Sequence, residues 1–321
     1  MVSSIVGNYL VEKGLITKAQ LIDLKNEQQK VHVKLGLIAV SEGLMTQSEA
    51  DRVNRLQAIQ DKRFGDIAVE NGYLTEEQVG QLLKKQGNAY LSFAQALENL
   101  DLMNVDQLEQ FMTDFMWDKE FTQSDMADLK SDDADRILRL FIPADAKAYE
   151  PIAGMALRTI MRLIDNDVYP GKAYLTKEVE VDNGSMQFVS GTESICCALA
   201  GRDDNLKPVA SIFGKEDFEK VDMDALDAVG ELVNCINGLY ASDRSFGGVE
   251  MELYPSSPST ASPIIVCPAS SRISLRIFLD VLESSTIKIF AIITFPSRNL
   301  LFHFHLLIIC YNKIASISFD M

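Results

Sequence analysis

Histidine is nearly absent from this chain: three of 321 residues, with His32 the only one ahead of the last twenty. Imidazole-based acid–base or metal chemistry therefore has almost nothing to work with. Cysteine is scarce too. Cys196, Cys197, Cys235, Cys267 and Cys310 make an odd set with no C-x-x-C pair, which excludes a zinc framework or a disulfide-stapled fold. Cys196 and Cys197 stand in the apolar run Ser194–Ala200 and read as small core residues of a strand. Positive charge is the third deficit. Lys and Arg number 30 against 46 Asp and Glu, for a net charge of −16. No basic stripe is on offer for a phosphate backbone, so nucleic acid is excluded as a partner. The first residues lack a basic segment and a sustained apolar run, so no signal peptide is expected and the chain reads as cytoplasmic.

What is present is 47% hydrophobic residues, enough for two cores, and a chain of this length is expected to make two domains. Residues 1–118 repeat with a period of 29. Val6-Gly7 to Gly14 and Thr17 recurs as Leu35-Gly36 to Gly43 and Thr46. It recurs again as Phe64-Gly65 to Gly72 and Thr75, and in decayed form as Phe93-Ala94 to Asp101 and Asn104. Each unit reads as a helical hairpin. A short helix stops where Gly14, Gly43 or Gly72 takes positive φ. A longer one starts under Thr17, Thr46, Thr75 or Asn104, with Gln20, Glu49, Gln78 or Gln107 closing a capping box. The glycines are accounted for by these caps, and each hairpin should bury its apolar stripe on its neighbours.

Residues 119–146 are acidic and read as a linker with a short helix near Arg136–Phe141. An α+β domain over 147–258 follows. Its expected elements are a helix near 150–166, a hairpin of 173–181 and 185–190 around Asp182-Asn183-Gly184, and strands near 194–200 and 208–213. The segment 201–208 reads as a loop, and a helix over 223–242 precedes a strand at 248–254.

The helix over 223–242 carries the chemistry. At about 100° per residue, Asp227, Glu231, Asn234 and Gly238 share one narrow stripe, while Leu226, Val229, Val233, Ile236 and Tyr240 form the opposite, core face. A carboxylate and an amide three residues apart can enter a partner's pocket together. The acid can pair with a cation there, and the amide can hold a water. An ordinary solvated helix face has the same spacing, and so has Glu180/Asn183, where a turn is expected.

Asp227 to Gly238, with the strands before it and Glu252 to Pro258 after it, resembles the CheC/CheX/FliY phosphatase family of bacterial chemotaxis. The resembling pattern is a small polar or acidic residue, E-x-x-N on a helix, then a distant Pro. Pro258 stands 24 positions after Asn234. The helix near 152–165 carries no second E-x-x-N, which is similar to the single-site CheX branch. The resemblance implies an antiparallel sheet with long helices, and hydrolysis of the aspartyl phosphate of a CheY-like response regulator. It further implies that Glu231 docks the regulator's lysine and that Asn234 orients the attacking water, with Asp227 supporting the face. The Mg²⁺ would belong to the regulator, and this chain would bind no cofactor. Such chemistry needs positioning and charge neutralisation rather than a covalent step.

The repeats are similar to the MshE amino-terminal family of secretion and pilus ATPases. That resemblance implies cyclic di-GMP binding at Arg63-Phe64-Gly65 and Lys34-Leu35-Gly36. Only the third copy keeps the Arg; the first has Ile5. The rival to a phosphatase is thus a signalling adaptor that docks a partner, or the dinucleotide, without turnover. A homodimer is compatible with either.

From Ser256 onward the composition shifts, with net charge +2 against −18 for residues 1–255. A membrane anchor is one reading, but Lys288, Pro296, Arg298 and two His interrupt every candidate span. The other is a tail over 259–321 that departs from the domain's native ending, as after a change of reading frame. That reading expects a sheet short of its closing strands.

Overall fold

The computed structural model describes residues 1–60, 62–173, 178–180, 183–191 and 194–260, and beyond them the short strand segments 264–266, 279–281, 285–287, 289–295, 309–310 and 313–314. The chain divides into two compact units, Met1–Arg136 and Ile137–Met321.

The first unit is all helix. Its hairpins are α1 (Val2–Glu12) with α2 (Lys18–Gln28), α3 (Leu35–Ser41) with α4 (Gln47–Gln60), α5 (Phe64–Glu70) with α6 (Glu76–Lys84), and α7 (Ala89–Asn99) with α8 (Val105–Asp118). Gly14, Gly43 and Gly72 sit at φ +71°, +66° and +72°. Each closes a pair of bonds back into its helix, as when Gly14 N–H donates to Val11 and Leu15 N–H to Leu10. Asp101 takes the same role at φ 52°, since aspartate tolerates the left-handed region better than most residues. Capping boxes form at Thr17/Gln20, Thr75/Gln78 and Asn104/Gln107, and the Thr46/Glu49 pair makes the same reciprocal bonds.

Two expectations change here. The glycines are not all caps: a Cβ on Gly7, Gly36 or Gly65 would stand 2.4 Å from Leu21, 2.9 Å from Phe64 and 2.9 Å from Val79. These three let helices approach closely. Nor do the hairpins stack only on their neighbours. The fourth returns to the first, where Gln28 Nε2 donates to the Ala89 carbonyl at 3.0 Å and Tyr9 meets Phe115 edge-on with ring centroids 4.9 Å apart. It also reaches the second, where buried Gln95 accepts from Lys34 N–H at 3.0 Å. The apolar α7, with Tyr90, Leu91, Phe93, Ala94, Ala96 and Leu97 all buried, closes the unit. The stretch expected as an acidic linker holds α9 (Gln123–Lys130), α10 (Ala134–Phe141) and a 3-10 turn, Ala144–Tyr149.

In the second unit, α11 (Glu150–Leu163) precedes the sheet. Strands β1 (Glu178–Glu180), β2 (Asn183–Gly191) and β3 (Ser194–Gly201) follow, then α12 (Asp203–Gly214), α13 (Met223–Phe246), β4 (Met251–Leu253) and β5 (Ser257–Thr260). The last strands are β6 (Ile264–Val266), β7 (Leu279–Val281), β8 (Ser285–Ile287), β9 (Ile289–Phe295), β10 (Ile309–Cys310) and β11 (Lys313–Ile314). The main sheet is antiparallel, with β3 between β2 and β9. On its other side β2 pairs with β4 at Val189–Gly191 and with β5 at Asn183–Met186. Strands β4 and β5 therefore form one edge, interrupted at Tyr254–Ser256.

Of the expected hairpin, residues 174–177 and 181–182 lie outside the described residues. Strand β1 pairs with β6, and Asn183-Gly184 lie inside β2 opposite Gly201 and Ala200. The expected strand at 208–213, and most of the loop before it, form α12. Asp203 and Asp204 stand in its first turn, where acid favours a helix start. Leu206, Val209 and Ala210 bury a helical face, which outweighs the hydrogen bond lost at Pro208. Strand β9, from the tail, pairs antiparallel with β3 over Ser194–Ala200.

Candidate functional site

The long helix α13 starts under the Asp222 side chain, which caps Ala225 N–H. Leu226, Val229, Val233, Ile236 and Tyr240 are buried, so the apolar period sets which side faces the sheet. Gly230 brings the helix close to that sheet. A Cβ there would stand 2.7 Å from Ser185 Oγ on β2 and 2.8 Å from Ser256 Oγ.

Asp227 and Glu231 are exposed, as the stripe requires, whereas Asn234 is half-buried. Its Nδ2 faces Glu231 Oε2 at 3.4 Å, and its Oδ1 turns toward the sheet and accepts from Gln187 Nε2 at 2.9 Å. The amide expected to project freely is thus held from behind. Nothing lies within 4 Å of a Cβ placed on Gly238, so the stripe is open at that end. Pro258 is in β5, opposite Ser185, an edge position that tolerates a missing N–H.

Gln187 was not among the residues the sequence pointed to. It is buried to 2% exposure, and Asn237 behind it to 0%. Gln187 Oε1 accepts from Asn237 Nδ2 at 2.8 Å, and its Nε2 also donates to the Tyr254 carbonyl at 2.7 Å. One signal was available: a Gln flanked by Met186, Phe188 and Val189 in a strand is a polar group that burial obliges to find partners.

The site contains no buried cation or acid pair, and among the described residues no three His, Cys, Asp or Glu side chains gather as a metal site. Cys235 is exposed beside Glu231, while Cys196 and Cys197 are buried in β3. Burial pushes the Cys197 thiol well above its usual range, which makes it an inert core residue.

In the first unit, Gly36, Phe64 and Gly65 are buried and Leu35 is half-buried. Phe64 packs over Gly36, and Leu35 reaches within 3.6 Å of a Cβ on Gly65. Arg63 and Lys34 are exposed at the N-caps of α5 and α3.

No family model matches the sequence, and no curated protein does. The resemblance of the repeats to the MshE amino-terminal family accordingly gains no support from comparison. Among solved structures the chain is similar to the chemotaxis protein CheX from Desulfovibrio desulfuricans, at 15% identity and TM-score 0.38, over 46% of this chain and 96% of that one. A CheC-like superfamily protein from Shewanella sp. PV-4 matches at 16% identity and TM-score 0.36, over 46% and 96%. A CheX–CheY–BeF3–Mg²⁺ complex from Borrelia burgdorferi matches at 14% and 0.34, over 45% and 94%. Among the described residues no helix is long and apolar enough to cross a membrane.

Proposed function

We propose that this chain hydrolyses the aspartyl phosphate of a CheY-like response regulator, using the exposed side of α13. One observation carries the reading: the Asn234 amide is held by Gln187 with its N–H beside the exposed Glu231 carboxylate. Glu231 meets the regulator's lysine, a pairing that gains strength as the interface excludes water. Asn234 then stands at the phosphoryl group. Its N–H donates to one lone pair of a water, leaving the other directed at phosphorus. The water oxygen forms the new P–O bond, the bond to the aspartyl carboxylate breaks with its electron pair, and a proton passes to solvent. Inorganic phosphate and a free aspartate result. The regulator supplies the phosphoryl group and the Mg²⁺ that neutralises its charge. This chain supplies position, which is worth most when the reacting water is fixed within about an ångström.

Phosphate release from a phosphorylated CheY-like regulator is the test. Asn234→Ala should lower kcat by about a hundredfold, the scale on which misplacing a reacting group acts. Glu231→Lys should raise KM by reversing the docking charge. Unchanged rates in both variants would remove the proposal. Saturable binding of the regulator without turnover would favour the adaptor reading.

A further inference from the structure

We infer that Gln187 is the positioning residue of this site: it decides which end of the Asn234 amide faces the partner. The inference rests on the phosphatase reading for its consequence and on the sheet for its geometry. The edge formed by β4 and β5 breaks at Tyr254-Pro255-Ser256. Tyr254 N–H still donates to the Phe188 carbonyl at 3.0 Å, but Pro255 has no N–H to continue the ladder. Gln187 Nε2, on the neighbouring strand, donates to the Tyr254 carbonyl at 2.7 Å.

That carbonyl can only accept, so Gln187 must present its NH₂ on that side. Its Oε1 is thereby turned to Asn237 Nδ2 at 2.8 Å; reversing Asn237 would set two oxygens against each other. The remaining Nε2 hydrogen of Gln187 meets Asn234 Oδ1 at 2.9 Å. Asn234 is left with its NH₂ outward, beside Glu231, whose carboxylate can likewise only accept. A backbone carbonyl at a strand break thus sets, through the Gln187 side-chain amide, the polarity of the group that would hold the water. The outward atom is a donor, so a bound water is gripped by its oxygen.

The test uses the full chain, with side-chain amide NMR and phosphate release measured in parallel. In the unaltered protein the Gln187 NH₂ protons should exchange slowly, and Asn234→Ala should shift one of them upfield. Gln187→Met should lower kcat about tenfold with KM unchanged, the scale of one lost hydrogen bond. Gln187→Glu should be impaired at neutral pH and recover in part as pH falls, because a protonated carboxyl regains one donor; thermal unfolding followed over the same pH range separates this from loss of fold, since a merely structural role would move kcat only where the variant unfolds. A Gln187 pair indifferent to Asn234→Ala, or a folded Gln187→Met with unaltered kcat, would overturn the inference. If the unaltered chain releases no phosphate, the phosphatase reading falls, and the amide resonances still decide whether Gln187 holds Asn234.

Discussion

Gly230 and Ser185 meet where α13 crosses the sheet, with only 2.7 Å between the serine Oγ and the place a Cβ would occupy. The site's height above the sheet is therefore set by a missing side chain. Gly230→Ala should cost about 1–3 kcal/mol, as overpacking of a filled contact does, and should lift Asn234 away from Gln187. Gly238→Ala meets nothing within 4 Å and should gain about 0.5–1 kcal/mol from helix propensity. Thermal unfolding of the two variants should move in opposite directions. A matching fall for both would show that α13 is seated otherwise.

Asp227 is exposed one turn before Glu231. Asp227→Asn should leave stability within about 0.5 kcal/mol, as for most surface changes. Its effect belongs in docking: a higher KM and a weaker dependence of KM on salt, with kcat preserved. A change confined to kcat would assign Asp227 a different role.

Acid should loosen the helical unit through two identifiable carboxylates. Glu49 is held below its usual 4.5 by the Thr46 backbone N–H and hydroxyl. Asp118 is held below 3.8 by hydrogen bonds from Lys13 and then Tyr9. A folded-state value below the unfolded one contributes stability above the unfolded value and loses it as pH falls through the folded one. The loss should begin near pH 4.5 and deepen below it. Glu49→Gln keeps a capping box like that of Gln20 without a titrating group, so its stability should vary less with pH in this range. An identical pH profile would show that this cap plays no part.

Cyclic di-GMP should give no binding heat in calorimetry, because Leu35, Gly36, Phe64 and Gly65 are taken up by contacts between hairpins. Gly36→Ala should destabilise the unit by about 1–3 kcal/mol through its clash with Phe64. A saturable isotherm abolished by Arg63→Ala would instead restore the adaptor reading.

Much of the architecture was legible because its causes are local. The turn glycines, the Thr and Asn caps, and the buried face of α13 each depend on residues three to five positions apart. The misreadings share a different cause. Pro208 within an apolar run suggested a loop and strand, yet burial of Leu206, Val209 and Ala210 made a helix. Asp182-Asn183-Gly184 suggested a hairpin turn, yet Asn183 and Gly184 pair with β3. In both places a contact remote in sequence prevailed over a local preference.

The functional stripe divides along the same line. Spacing alone determined that Asp227 and Glu231 would share a face and that Val229, Val233 and Ile236 would oppose it, since helical geometry repeats every few residues. Only the tertiary structure decided where the Asn234 amide turns. Its partner Gln187 lies 47 positions away, and Gln187 is itself oriented by a carbonyl 67 positions further on. An amide's two ends are nearly equal in size, so shape cannot choose between them; the choice falls to hydrogen-bonding groups that only folding brings together.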